Sequence, residues 1–287
     1  MAYPDDPGLR ERIVALLGAT WPHVPPGVEL ARTWGADWCE GSTPVVTLSG
    51  DMPIAVVGVI EIPLVVDGEA RVVAGVHGVC THPAYRRRGA FADAMRRALY
   101  FSDQRYDTSI LWTEEPAIYE RFGFARVEEH ALALACAPRM GAARAMDLDE
   151  PSELARLRSA LSRRTPVSPR IATRDRGWHF LIDAALWRTS GQAPTLWAID
   201  AWDVIVATHE SDDTLYVHDV IAETEVPLDA VLEAIPTTAP RMELTFGPPW
   251  GGVIGHPITH PMSDVLMVRG APLGIEAPFA LSPLSRC

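Results

Sequence analysis

The sequence predicts an α+β protein of two tandem domains, each a mixed, mainly antiparallel, twisted sheet flanked by helices. Three observations predict it. From Val45 branched apolar residues run as VVTLSG, MPIAVVGVIEIPLVV and ARVVAGVHGVCTH, with a turn at Asp67-Gly68, the pattern of antiparallel strands in a meander. GAFADAMRRALYFS follows at once, with Phe91, Met95 and Leu99 four apart along one helical stripe. A small, charged, proline-flanked stretch, APRMGAARAMDLDEP at 137–151, reads as a linker. Beyond it the order of helices, strand meander and strand–helix–strand comes round again.

Taken in order, GLRERIVALLG at 8–18 predicts a first helix, and the proline- and tryptophan-rich WPHVPPGVELARTWGADWCEG resists assignment. After the meander and its helix, TSILWT predicts a strand, EEPAIYERFGF a short helix ending at Gly123, and ARVEEHALALAC a final strand. In the second half PSELARLRSALSR and RGWHFLIDAALWRTSG predict helices. TLWAID, DVIVATHE and TLYVHDVIAE predict strands, PLDAVLEAI a helix, and RMELTF and SDVLMVRG strands. The expected domains are 1–140 and 141–287. A chain of 287 residues accommodates two of medium size.

Hydrophobic residues make up 48 %, which fits a folded globule, and the formal net charge of −12 disfavours nucleic acid and anionic membranes as partners. A small or cationic partner is favoured instead, and a homo-oligomer is left open. The opening MAYPDDPGLRERIV lacks the basic and apolar regions of a leader, and the longest apolar run carries Glu61 and two prolines. Four scattered cysteines without CxxC spacing point to a reduced, cytoplasmic setting. Lysine and asparagine are absent, so all 25 basic residues are arginine, as a GC-rich bacterial genome would produce.

The most informative stretch is THPAYRRRGAFADAM, 81–95. A strand ends at Thr81 and a helix begins near Gly89, so the loop between them offers unpaired backbone N–H groups and the positive end of a helix dipole. Gly89 and Ala90 are small enough for an anion to approach the backbone. Arg86, Arg87 and Arg88 add charge and forked donors. This is the chemistry of a pyrophosphate cradle. A solvated basic turn is the alternative, although basic residues are unfavourable at a helix N-terminus.

These residues resemble a family. VxTHPxYRRRGA followed by an amphipathic helix is similar to motif A of the GNAT superfamily of N-acetyltransferases, [Q/R]-x-x-G-x-[G/A], matched by Arg86 and Gly89. Position 91 is Phe, a departure shared with the enhanced-intracellular-survival-type branch. PAIYERFGF at 116–124 resembles motif B, in which a tyrosine precedes a GF ending. RDRGWHF, LYVHDVIAE and MSDVLMVRG resemble that branch's second, degenerate GNAT-like domain. Members of the branch usually continue into a sterol-carrier-like third domain whose chain end supplies a carboxylate to the site. This sequence stops after the second, so such a base is not carried over.

The resemblance implies an acyl-CoA-dependent N-acetyltransferase, with acetyl-CoA as co-substrate and no metal. Its pantetheine arm would follow the strand at Val79 and Thr81, and its pyrophosphate would rest on Arg86, Arg87, Arg88, Gly89 and Ala90. A primary amine, on a small cationic acceptor, would attack the thioester directly through a tetrahedral intermediate. Tyr119 stands at the family's proton-donor position for the departing thiolate. The place often held by a glutamate base, six residues before Pro83, is His77, whose ordinary pKa suits that task. Glu114 and the Cys287 carboxylate are further candidates. The other activities the residues admit are acetylation of a protein N-terminus or lysine, and non-catalytic acyl-CoA sensing.

Other constellations carry less. His256 and His260 in GHPITHP have metal-like spacing, but prolines break any helix there and no third ligand is near in sequence. HDVIAETEVPLDA is acidic where a second cradle would lie, so the second domain is expected to bind no second CoA. Trp21, Trp34, Trp38, Trp112 and Trp250 could line a pocket or pack a core.

Overall fold

The computed structural model describes residues 7–250, 255–276 and 278–286. Helices α1 (Pro7–Gly18), α2 (Val24–Thr33) and the single turn α3 (Trp38–Gly41) precede three long strands, β1 (Ser42–Ser49), β2 (Met52–Val66) and β3 (Glu69–Thr81). The segment that resisted assignment thus holds α2 and α3. Its Pro25 and Pro26 sit in the first turn, where the missing N–H groups would be unpaired anyway. Gly27 lets α2 press on a later helix, for a Cβ there would stand 2.8 Å from Leu186 and Thr189 side-chain atoms.

The three strands form the expected antiparallel meander. Helix α4 (Ala90–Asp103) crosses over to β4 (Thr108–Thr113), which lies parallel to β3. The helix buries Ala94, Met95, Ala98 and Leu99 against β1 and β2, each large side chain contributing about 1.5–3 kcal/mol by leaving water. Pairing of β3 with β4 covers only Ala74↔Ser109 and Gly75↔Ile110. Beyond that point β3 runs on to Thr81 while β4 turns away, so the two strands splay apart. Among the described residues the backbone of β3 from Val76 onward therefore has no partner strand on that side.

The remaining elements are α5 (Ala117–Glu120), β5 (Ala125–Val127), β6 (His130–Ala135), β7 (Arg144–Ala145), α6 (Pro151–Arg163), β8 (Ile171–Thr173) and α7 (Trp178–Ser190). They are followed by β9 (Thr195–Ile199), β10 (Val204–Ser211), β11 (Thr214–Ile221), α8 (Leu228–Glu233), β12 (Arg241–Leu244), β13 (His256–Thr259) and β14 (Val265–Gly270). Among the described residues two mixed seven-stranded sheets result, matching the predicted fold class. The first runs β1-β2-β3-β4-β14-β5, with β8 on the far end of β2; the second runs β13-β6-β12-β11-β10-β9-β7.

Sheet membership does not follow the 140/141 boundary. The stretch expected as one final strand divides at Glu128-Glu129. β5 stays in the first sheet, and β6 pairs with β12 and β13 in the second. In return β14 enters the first sheet between β4 and β5. The stretch read as a linker is strapped to the second sheet: Ala142 and Ala143 N–H groups both donate to the Ala234 carbonyl, and β7 pairs with β9. Helices α1, α2 and α7 share one apolar core with Val56 and Cys80 of the first sheet and Ile205, Ala207 and Ile221 of the second. Among the described residues no helix is long and apolar enough to cross a membrane.

Candidate active site

The splay between β3 and β4 opens a cavity of about 1020 Å³. One wall is β3 from Val76 to Thr81, and the other is β4 from Leu111 to Thr113, continued by Glu114, Glu115 and α5. The expected residues His77, Val79, Thr81, Arg86, Arg87, Gly89, Ala90 and Tyr119 all line it. Arg88 does not; its guanidinium lies 5.7 Å from the centre of the Tyr85 ring.

At the mouth, Pro83–Tyr85 make one tight turn, and α4 starts from Gly89 in a left-handed conformation, φ 86°. Among the described residues no side chain caps this helix, and its first intrahelical donor is the Asp93 N–H, bonded to the Gly89 carbonyl. The earlier N–H groups are left for a ligand. A Cβ at Gly89 would meet nothing within 4 Å, so open space lies in front of the backbone. Arg87 also has a positive φ, 61°, an uncommon state for a side chain of its size. Left-handed residues this closely spaced make a concave nest of N–H groups suited to an anion. These residues fit a pyrophosphate.

Tyr119 lines the cavity and is buried, with its ring edge-on to Phe91 and Phe124 at 6.1 and 6.3 Å between centroids. Burial, aided by the charge of Glu115, pushes its phenol up to about 12. It is therefore protonated at any physiological pH. Complete proton transfer to a thiolate, whose thiol lies near 8.5, would run uphill by about 5 kcal/mol. A hydrogen bond donated to the developing thiolate needs no such transfer.

His77 meets a physical obstacle in the role expected of it. It sits on the cavity floor, with Nε2 and Ser42 Oγ 2.8 Å apart and the Trp38 ring edge-on at 5.2 Å. Burial, with a smaller effect from His179, lowers its pKa to about 3. Taking a proton from an ordinary ammonium near 10.4 would then be uphill by about 10 kcal/mol. Glu114 lines the cavity too, with its Oε1 accepting from Ser263 Oγ at 2.6 Å.

The far wall comes from residues that local sequence patterns did not reveal: Asp183 and Trp187 of α7, Met262, Asp264, Pro283 and Arg286. Asp183 Oδ2 accepts the Arg286 backbone N–H at 3.1 Å. The Arg286 guanidinium donates to Glu129 at 3.2 Å and Asp264 at 3.3 Å, and stands 5.1 Å from the centre of the Trp112 ring. Glu129 in turn accepts Trp112 Nε1 at 2.8 Å and the Leu281 N–H at 2.9 Å. A buried network thus ties the last described residues to β4 and to the connector between β5 and β6. Of the tryptophans considered, Trp21 and Trp112 line the cavity, while Trp34, Trp38 and Trp250 are buried in the two apolar cores. Cys287 lies outside the described residues. His260 faces inward, its Nε2 3.2 Å from the Thr245 carbonyl oxygen, while His256 is exposed on β13.

Solved structures share this architecture. An Enterococcus faecalis protein described as a probable N-acyltransferase is 12 % identical with a TM-score of 0.60, the alignment covering 94 % of this chain and 71 % of that one. A GCN5-related N-acetyltransferase from Kribbella flavida is 17 % identical with a TM-score of 0.50, covering 91 % and 68 %. Eis1 from Mycobacterium abscessus is 19 % identical with a TM-score of 0.46, covering 78 % of this chain and 63 % of its own. At such identities the likeness to the first two is one of fold. No curated protein matches at the level of sequence. Residues 9–127 match the acetyltransferase (GNAT) domain family, and with that domain the chain is a transferase enzyme.

Proposed function

We propose that the protein moves an acetyl group from acetyl-CoA to the primary amine of a small cationic acceptor, by direct attack through a tetrahedral intermediate. The observation that carries this reading is one continuous cavity with an anion cradle at its mouth and carboxylates on its far wall. The cradle of Arg86, Arg87, Gly89 and Ala90 suits the pyrophosphate, and Arg88 adds long-range charge from outside the cavity. The unpartnered edge of β3 at Val79–Thr81 suits the amide groups of the pantetheine arm, which would add there like a short strand. Asp183, Asp264 and Glu114 favour a cationic group at the opposite end, where Trp112 and Trp187 offer flat apolar faces. The acceptor's reacting amine then meets the thioester near Tyr119, which donates a hydrogen bond to the sulfur as negative charge grows on it.

His77 enters this scheme as a neutral group that fixes Ser42 and the floor of the cavity, and water carries the amine's proton to the solvent. No metal takes part in the scheme. We place the reaction in the cytoplasm, with Cys39, Cys80 and Cys136 as free thiols. The two domains expected from sequence become, in this proposal, a catalytic unit within 1–140 and a degenerate unit within 141–287 that supplies the acceptor wall.

A thiol-release assay with acetyl-CoA tests the reading, against a panel of a diamine, a triamine, an aminoglycoside, free lysine and a peptide with a free N-terminus. Release stimulated by the small cations supports it. Stimulation by the peptide alone favours a protein acceptor, and CoA binding without release by any amine favours a non-catalytic sensor.

A further inference from the structure

The cradle accounts for one anionic group of coenzyme A, but the molecule carries two. Besides the pyrophosphate there is a 3′-phosphate, a monoester close to doubly charged at neutral pH. Its recognition calls for a cation outside the cradle. Among the described residues four arginines border the cavity: Arg86, Arg87, Arg121 and Arg286. The first two belong to the cradle loop. Arg286 is engaged by Glu129 and Asp264 at the far wall.

Arg121 remains, just past α5. Its guanidinium lies 5.5 Å from the centre of the Phe91 ring and 4.9 Å from that of Phe122. Phe91 is the second residue of α4, so this cation stands beside the cradle and not within it. Its neighbour Glu120 is already paired with Arg126 at 3.0 Å, and among the described residues no carboxylate pairs with Arg121. A guanidinium held beside two aromatic rings keeps N–H donors for a ligand, and loses little further freedom when it binds. An exposed, unneutralised, pre-positioned arginine on the wall of an anion-binding cavity is poised for a second phosphate.

We propose that Arg121 binds the 3′-phosphate of the acyl-CoA, so that the protein distinguishes coenzyme A from 3′-dephospho-coenzyme A. This rests on the acyl-CoA reading of the cavity and adds a discriminating residue to it. The test is calorimetric titration of the full chain with each of the two compounds, for the native protein, Arg121→Gln and Arg121→Lys. The native protein should prefer coenzyme A by about tenfold, the scale of one solvent-exposed, charge-assisted contact. Arg121→Gln should lose most of that preference by weakening coenzyme A alone, and Arg121→Lys should restore part of it. Arg121 is exposed, and unchanged circular dichroism checks that the variants fold.

Equal affinity of the native protein for both compounds would overturn the proposal, as would an intact preference in Arg121→Gln. Equal weakening of both by Arg121→Gln would also overturn it, by assigning the side chain to the pyrophosphate. If the native protein bound neither compound, the acyl-CoA reading itself would fall, a result distinguishable from the other three.

Discussion

Tyr119→Phe removes one hydroxyl from a ring that is 7 % exposed and otherwise held by Phe91 and Phe124, so the fold should survive the change. Its energetic consequence depends on when the hydroxyl works. In the ground state the thioester sulfur is a weak acceptor, and losing a bond to it costs little. In the transition state the sulfur gains charge beside the buried Tyr119. A hydrogen bond to a charged group there is worth about 1.5–3 kcal/mol. The expected loss is therefore about 10- to 150-fold in kcat, with KM for acetyl-CoA changed less than about threefold. Steady-state thiol release at saturating amine, using the best acceptor of the panel, measures both constants. Since burial holds the phenol near 12, the native rate should show no tyrosine ionisation up to about pH 10. A kcat within twofold of native, or an intact kcat with KM raised tenfold, would refute the argument and leave Tyr119 as a packing or binding residue.

The two neighbouring loop arginines should behave differently. Arg87→Gln should weaken coenzyme A by about tenfold in calorimetry, whereas Arg88→Gln, at a residue near the Tyr85 ring that does not line the cavity, should change it less than about twofold. Acid should destabilise the protein well above the carboxylate range. Burial lowers His77 and His218 to about 3 and His260 to about 4. All three take up protons near 6.5 once unfolded, so stability is fully present above pH 6.5 and falls as pH drops toward 3. At pH 5 the ceiling is about 2 kcal/mol per residue, and urea midpoints that match at pH 7.5 and 5.0 would contradict it. Glu129→Ala should destabilise by about 3 kcal/mol, because it strips one of two carboxylates from the buried Arg286 guanidinium. Chemical denaturation measures this, and a loss under about 1 kcal/mol would show that the network is dispensable.

What could be read in advance was local. The meander needed only alternation and a two-residue turn, and the cradle occupies one unbroken loop whose arginines, glycine and helix start are adjacent in sequence. The prolines that obscured α2 belong to a helix's first turn, a placement visible only once its packing on α7 fixes where the helix begins. Strand partners were not legible, because β6 and β14 have the composition of strands that would suit either sheet. The stretch at 137–151 has a linker's composition for a related reason: small residues at 142–143 resemble a flexible joint, while their N–H groups are claimed by a carbonyl some ninety residues later. Asp183, Asp264 and Arg286 bear no mark in the sequence that sets them apart from surface charges. They become a site wall only because α7 and the last described residues pack beside β4.

The exchange of strands between the sheets has a consequence for how the protein is made. On the ribosome, β4 emerges about 150 residues before β14, the strand that lies along it. At roughly 5–20 residues per second the interval lasts about 8–30 s. Throughout it the nascent first sheet exposes an unpaired edge carrying Ile110, Leu111 and Trp112, the kind of template that recruits other chains. The first sheet is thus completed late, almost together with the second. Its yield in cells should depend on temperature and on chaperones that shield that edge, more than on the stability of the finished fold.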